Sequence, residues 1–255
     1  DAAFRPAVLT NQAFRADVES VGEPLVIGLE RESGKLSSFE ARVFPRGHSR
    51  SDENEAYVER LVKFLLWQRG GFRLYLGGPR RVGEALQQIY SDSGPRRFDR
   101  RFMGDQVYLH PFEVVLCKPE EVPDQKEAGE ALGRHLEGYR IGFDLGASDR
   151  KASAVVDGEA IYSEEVIWEP RKQSDPSYHY AQIMASLTAA ASKLERVDAI
   201  GGSSAGIFVN NRPMVASLFR GVPPERYNEI RDLFLRIQKE FNVPLVVIND
   251  GDVAA

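Results

Sequence analysis

The chain of 255 residues holds a single cysteine, Cys117, so no disulfide can close within it. One thiol in a chain of this length points to a reducing, cytoplasmic compartment. Histidine is scarce too. His48, His110, His135 and His179 lie far apart, and no two have the spacing of ligands to a structural zinc. Long apolar runs are missing. None approaches the ~20 residues that cross a bilayer, so no membrane partner is expected. The N-terminus, Asp1-Ala-Ala-Phe-Arg5, has neither an initiator Met nor a charged-then-apolar leader, as in a processed or trimmed chain. Excess positive charge is absent as well. With 33 Lys and Arg against 38 Asp and Glu, the net charge of −5 disfavours a nucleic-acid surface over the whole molecule. No short-period repeat is visible. What is present, 42% hydrophobic and 28% charged residues, is the composition of an ordinary globular protein. The length suits one large domain or two modest ones.

Residues 1–23 show no clear pattern and read as a loosely packed lead-in. Leu25–Leu29 and Phe39–Phe44 read as strands joined around Ser33-Gly34. A polar loop over 46–54 precedes a helix over 55–68, with Val58, Leu61, Val62, Leu65 and Leu66 on one face and Gly70-Gly71 as its stop. Phe72–Leu76 is a strand that runs into Gly77-Gly78-Pro79. A helix to about Tyr90 follows, then an arginine-rich polar stretch over 91–106, and strands at Val107–Leu109 and Phe112–Leu116. Asp124-Gln-Lys-Glu127 has the spacing of a capping box for a helix reaching Leu136, so a linker helix is expected over 121–138, between domains at 1–120 and 139–255.

The second region is more regular. Strands are predicted at 139–145, 151–156 and 160–168, with Asp157-Gly158 as a tight turn. Asp175-Pro176 starts a helix that reaches Glu195. Val197–Ile200 is a strand ending at Gly201-Gly202, followed by a loop to about Pro223. A helix follows with Tyr227, Ile230, Leu233, Phe234, Ile237 and Phe241 on one face. Pro244–Ile248 is a buried strand. Three hairpin-linked strands followed by helix-connected ones describe an antiparallel start with parallel additions.

Three small groups could carry chemistry. Asp144-Leu-Gly146-Ala147-Ser148 is a glycine-containing turn between strands, able to present backbone N–H groups to a phosphate, with a carboxylate beside it for a hydrated metal ion. Asn249-Asp250 follows a strand, at the edge where α/β sheets bind ligands. Ser203-Ser204-Ala-Gly206 is a small-residue loop that lets a ligand approach the backbone. Alone, the first and third fit ordinary turns, and the second fits helix N-capping equally well. Together they fall at the ends of three strands of one sheet, where they can converge.

On these motifs, residues 139–255 resemble the N-terminal lobe of the ROK family of sugar kinases and repressors, within the actin/Hsp70/hexokinase ATPase superfamily. Asp144, Gly146, Ala147 and Ser148 match its first phosphate motif. Ser203–Gly206 loosely matches its mid-lobe loop, and Ile248–Ala255 matches its Glu-Asn-Asp-Ala-Asn-Ala-Ala motif. The resemblance implies an α/β fold: an actin-like ATPase (ribonuclease H-like) lobe, preceded here by a smaller α+β domain. It implies ATP-dependent phosphorylation of a sugar hydroxyl, with ATP and Mg²⁺ as cofactors and Asp250 as the catalytic base. Asp144, Gly146, Ala147 and Ser148 would bind phosphate, Asp144 would hold Mg²⁺ through water, and Gly206, Ser217, Asn249 and Asp250 would bind the sugar. Ala147 stands where the family has Gly, Asp149 where Lys is frequent, Ile248 for Glu, Asp252 for Asn, and Ser217 for a specificity-loop Asn. The turn also resembles the rhamnulokinase branch of the FGGY sugar kinases. The alternatives carried forward are a non-catalytic sugar-sensing regulator and another kinase of the superfamily.

The family's kinases have two lobes, whereas this sequence stops seven residues after Ile248, which reads as a fragment lacking the second lobe. A homo-oligomer is left open. In the first region, Leu76–Pro79 weakly resembles an adenosine-binding turn but reads more simply as a βα turn. Arg96–Arg101 reads as a solvated loop rather than a nucleic-acid site, because no aromatic-basic interleaving extends it. No helix-turn-helix is evident over 1–120.

Overall fold

A computed structural model describes residues 6–127 and 135–254. The chain divides into two compact units, Asp1–Glu130 and Ala131–Ala255.

The first unit contains α1 (Ala7–Val18), β1 (Glu23–Glu30), β2 (Leu36–Val43), α2 (Glu53–Arg69), β3 (Arg73–Gly77), α3 (Arg80–Ile89), α4 (Arg97–Arg101) and β4 (Glu113–Cys117). Its sheet runs β2-β1-β3-β4; β1 is antiparallel to β2 and β3, and β3 is parallel to β4. The β1–β2 connection turns at Ser33 and Gly34, both at positive φ. Three expectations fail here. The lead-in is not loose: α1 buries Phe14 and Val18, and Phe14 stacks on Tyr57 at 4.0 Å. Val107–Leu109 is not a strand. A π-helical segment over Phe102–Tyr108 buries Met103, Val107 and Tyr108, and Leu109 ends it in the left-handed region. Apolar residues at that spacing fit a wound helix as well as an alternating strand. The linker helix is not seen in the described parts of 121–138. Lys126 instead exchanges two backbone hydrogen bonds with Leu36, both 2.9 Å, which requires extended chain. The rest of that predicted helix, 128–134, lies outside the described residues.

The second unit contains β5 (Tyr139–Leu145), β6 (Asp149–Val156), β7 (Glu159–Ile167), α5 (Pro176–Ala191), β8 (Ala199–Ser204), β9 (Ile207–Val209), β10 (Arg212–Val215), α6 (Tyr227–Arg231), α7 (Leu233–Phe241), β11 (Leu245–Asn249) and α8 (Asp250–Ala254). The main sheet has the order β11-β8-β5-β6-β7. β5, β6 and β7 pair antiparallel in sequence, and β8 and β11 add in parallel beyond β5. This is the α/β arrangement expected of an actin-like, ribonuclease H-like lobe. Asp157 and Gly158, with φ of 50° and 87°, make the tight β6–β7 turn. Asp175 caps α5 by accepting from the Ser177 N–H at 3.1 Å, with Pro176 in the first turn. Ile183, Leu187 and Ala190 of α5 belong to one buried core with Ile141, Phe143, Ile200, Leu245 and Val247 of the sheet and Phe234 and Ile237 of α7.

Several boundaries differ from expectation: α5 ends at Ala191 rather than Glu195, and the helix expected from Tyr227 to Phe241 breaks at Asp232 into α6 and α7. β8 continues through Gly201-Gly202 to Ser204, paired on both sides with β5 and β11, and Gly202 is glycine because the Phe143 ring of β5 lies across it and leaves no room for a side chain. The expected loop after it contains the β9–β10 hairpin, turned by Asn210 and Asn211 at positive φ. Asn211 also clips β11: its Nδ2 donates to Leu245 O at 2.7 Å and its Oδ1 accepts from Val247 N–H at 2.9 Å.

Candidate functional site

Strand register brings the three motifs to one edge. Leu145 of β5 pairs with Ser204 of β8, and Ser204 pairs with Asn249 of β11. The parallel strands β5, β8 and β11 therefore end side by side, and the segments that continue from them carry the candidate residues. β5 alternates, with Ile141, Phe143 and Leu145 buried and Asp144 half-buried on the other face. There Asp144 Oδ1 accepts from Ser203 Oγ at 2.5 Å. The neighbouring Ser204 Oγ donates to Leu145 O at 3.2 Å.

The turn after β5 is closed by Gly146 N–H donating to Asp149 O at 2.9 Å. A Cβ at Gly146 would stand 3.0 Å from that same oxygen, so the glycine serves close backbone approach. Ala147 and Ser148 are exposed, and neither has a positive φ. Alanine at 147 therefore costs the backbone nothing. Ser148 Oγ donates to Asp149 Oδ2 at 2.8 Å. Lys151, directly opposite Asp144 in register, approaches Asp149 at 3.6 Å and Glu165 at 3.9 Å. This face thus holds three carboxylates and one ammonium, and an arriving phosphate would meet net negative charge unless a cation accompanied it.

The turn has an anchor that sequence reasoning missed. Trp168, buried just beyond β7, donates its backbone N–H to Ser148 O at 3.0 Å and its indole N–H to Gly146 O at 2.9 Å. The Arg150 guanidinium lies 5.7 Å from the centroid of that ring and is fixed by Nε donating to Ser186 Oγ at 2.9 Å. Burial pushes the Arg150 pKa down. No local signal marks Trp168, because its partner is 22 residues away.

At the other strand ends, Gly206 has φ 151°, and a Cβ there would lie 2.8 Å from Ala216 Cβ and from Val215 O. Asn249 spans two segments. Its Nδ2 donates to Gly206 O at 2.8 Å, and its Oδ1 accepts from Gly251 N–H at 2.8 Å, which caps α8. One Nδ2 hydrogen and one Oδ1 lone pair remain to it. Asp250 is exposed at the first position of α8, where its Oδ1 accepts from Gly251 N–H at 3.0 Å. Ser217 is exposed on the turn Ser217–Phe219, its Oγ 3.5 Å from Arg171 Nη2. Among the described residues, no group of three or more His, Cys, Asp or Glu could hold a metal ion, and no helix is long and apolar enough to cross a membrane.

No family model and no curated protein matches the chain. Solved structures similar to it include a glucokinase from Parabacteroides distasonis ATCC 8503, 18% identical over 46% of this chain and 32% of its own, with a TM-score of 0.37. A ROK hexokinase from Thermus thermophilus is 19% identical over 46% of this chain and 35% of its own, TM-score 0.32. A ROK family transcriptional regulator, a homologue of the E. coli MLC protein, is 19% identical over 45% and 28%, TM-score 0.31. The matched part of the chain spans about a third of the length of these proteins.

Proposed function

We propose that the second unit is the phosphate- and sugar-binding lobe of an ATP-dependent sugar kinase. The observation that carries this reading is the register itself. It sets Asp144 with its turn, Gly206, and Asn249-Asp250 on the aligned ends of three strands. In this reading Asp250 accepts the proton of the attacking sugar hydroxyl as the new phosphate ester bond forms. Asn249 and Gly206, already tied to each other, present the sugar. The 146–148 turn faces the transferred phosphoryl group, held in place by Trp168. Asp144 has one oxygen engaged by Ser203, which leaves the other for a hydrated Mg²⁺ that would draw its remaining ligands from water and phosphates. When bound, Mg²⁺–ATP supplies the phosphoryl group and the positive charge that this acidic face lacks. Phosphoryl transfer depends mainly on positioning and charge stabilisation, which suits a site built from strand ends and turns.

The test is a coupled ADP-release assay over a panel of aldohexoses and their N-acetylamino derivatives. In a chain carrying both lobes a sugar-dependent rate is expected, and Asp250→Asn there should lower kcat by ~10²–10⁴-fold. An unchanged kcat in that variant rejects Asp250 as the base.

A second reading, a sugar-binding regulator without turnover, is favoured by Asp149. Its carboxylate holds the Ser148 hydroxyl and adds negative charge beside the turn. Calorimetric sugar binding with no sugar-dependent ADP release by a chain carrying both lobes would select it.

A further inference from the structure

The first unit has an apolar helix face that its own core does not use. α2 buries Val58, Val62, Leu65 and Leu66. On its outer side Arg60, Lys63, Phe64 and Trp67 recur at helical spacing, and Phe64 is 61% exposed and Trp67 44%. With Arg96 and residues of α1 they line a groove of about 560 Å³.

Trp67 is held in one orientation. Its indole N–H donates to Asp99 Oδ1 at 2.6 Å, and Asp99 is buried. Its ring stacks on Phe102 at 5.1 Å and on exposed Phe98 at 6.4 Å. Desolvating the Asp99 carboxylate is offset by Lys63 at 3.9 Å and Arg96 at 3.7 Å. A rigid, exposed tryptophan beside arginines has the character of a binding anchor, since little side-chain entropy remains to be lost on association. The charges are sorted by depth. Asp99 and Glu59 lie beneath, with side chains 4% and 16% exposed, while Arg60 is exposed and Lys63 reaches outward with 41% of its side chain exposed.

We propose that this groove docks an amphipathic helix of a partner protein, one whose apolar side chains are flanked by acidic ones. The apolar floor calls for side-chain knobs and the cationic rim for carboxylates. Nucleic acid fits less well. The aromatic rings already stack on one another, which leaves fewer open faces for bases. The three cations of the rim, Arg60, Lys63 and Arg96, are also few against the roughly six to ten phosphate contacts of strong backbone binding.

The experiment measures fluorescence anisotropy of labelled probes against the full chain. The first is a synthetic helix of about 18 residues, with Leu at i, i+3, i+4 and i+7 flanked by Glu. The second has Lys in place of every Glu, and the third is an oligothymidylate. The glutamate peptide should bind with a Kd below about 100 µM, and the other two at least about tenfold more weakly. Phe64→Ser should weaken the glutamate peptide about tenfold or more, and Arg60→Glu should erase the preference between the two peptides. Both positions are exposed, and circular dichroism verifies that the variants remain folded. Equal binding of the two peptides, or no binding of the glutamate peptide, overturns the proposal. So does unchanged binding by both folded variants. Tighter binding of the oligothymidylate overturns it in favour of nucleic acid.

Discussion

Trp168 and His179 are buried side by side, their rings 6.4 Å apart, and they make different demands on the second unit. Trp168→Phe keeps a ring in place but strips Gly146 O of its indole donor. The expected cost is ~1–3 kcal/mol in urea denaturation. If the turn binds phosphate, the KM for ATP should rise more than kcat falls, because a positioning contact is lost and the base is untouched. His179 shares its Nε2 with Pro170 O at 3.1 Å and meets Phe219 edge-on at 5.1 Å. Burial holds its pKa below the ordinary 6.5, against a weaker upward pull from Pro170 O. Above that value the folded and unfolded chains both keep the ring neutral. As pH falls through it, the unfolded chain takes the proton first, so stability declines on the acid side. His179→Phe should flatten the fall of the urea midpoint between about pH 7 and pH 5; an equally steep fall in the variant would place the acid sensitivity elsewhere.

At the scale of elements, β8 shows both what a sequence discloses and what it withholds. Gly201-Gly202 reads as the end of a strand, because glycine weakens strands when only local preference counts. The reason for the glycine lies on β5: a Cβ at 202 would sit 2.0 Å from the Phe143 ring, whereas one at 201 would meet nothing within 4 Å. Gly202→Ala should therefore cost ~1–3 kcal/mol, and Gly201→Ala should stay within ~0.5 kcal/mol. Denaturant melts of the two variants compare neighbouring residues of one strand. The elements with local signatures were legible, among them the β6–β7 hairpin at Asp157-Gly158 and the start of α5 at Asp175-Pro176. The strand ends that carry Asp144 and Asn249 were legible as well, whereas the end of β8 ahead of Gly206 was not. Trp168 and Asn211 were not, because each acts on backbone 22 to 36 residues away. The π-helical segment at 102–108 was hidden by apolar spacing common to strand and helix. Aromatic-basic interleaving beside Arg96–Arg101 was likewise invisible along the chain, because Trp67 joins Phe98 only in space.

For the molecule as a whole, two units with separate sheets also mean exposed sheet edges, and an edge strand is a template on which another chain can grow. In the second unit β7 and β11 are the outermost strands. β7 carries Glu159, Glu164 and Glu165, so a second copy laid along it would meet like charge. β11 has no such row of charge. There the amide of Asn211 already occupies Leu245 O and Val247 N–H, the groups an incoming strand would need. Asn211→Ala should leave the fold by circular dichroism unchanged and raise light scattering on prolonged incubation at high protein concentration; a variant as clear as the parent would show that the edge is guarded by other means. If the variant does scatter more, a single side-chain amide sets the concentration at which this sheet begins to stack on its neighbours.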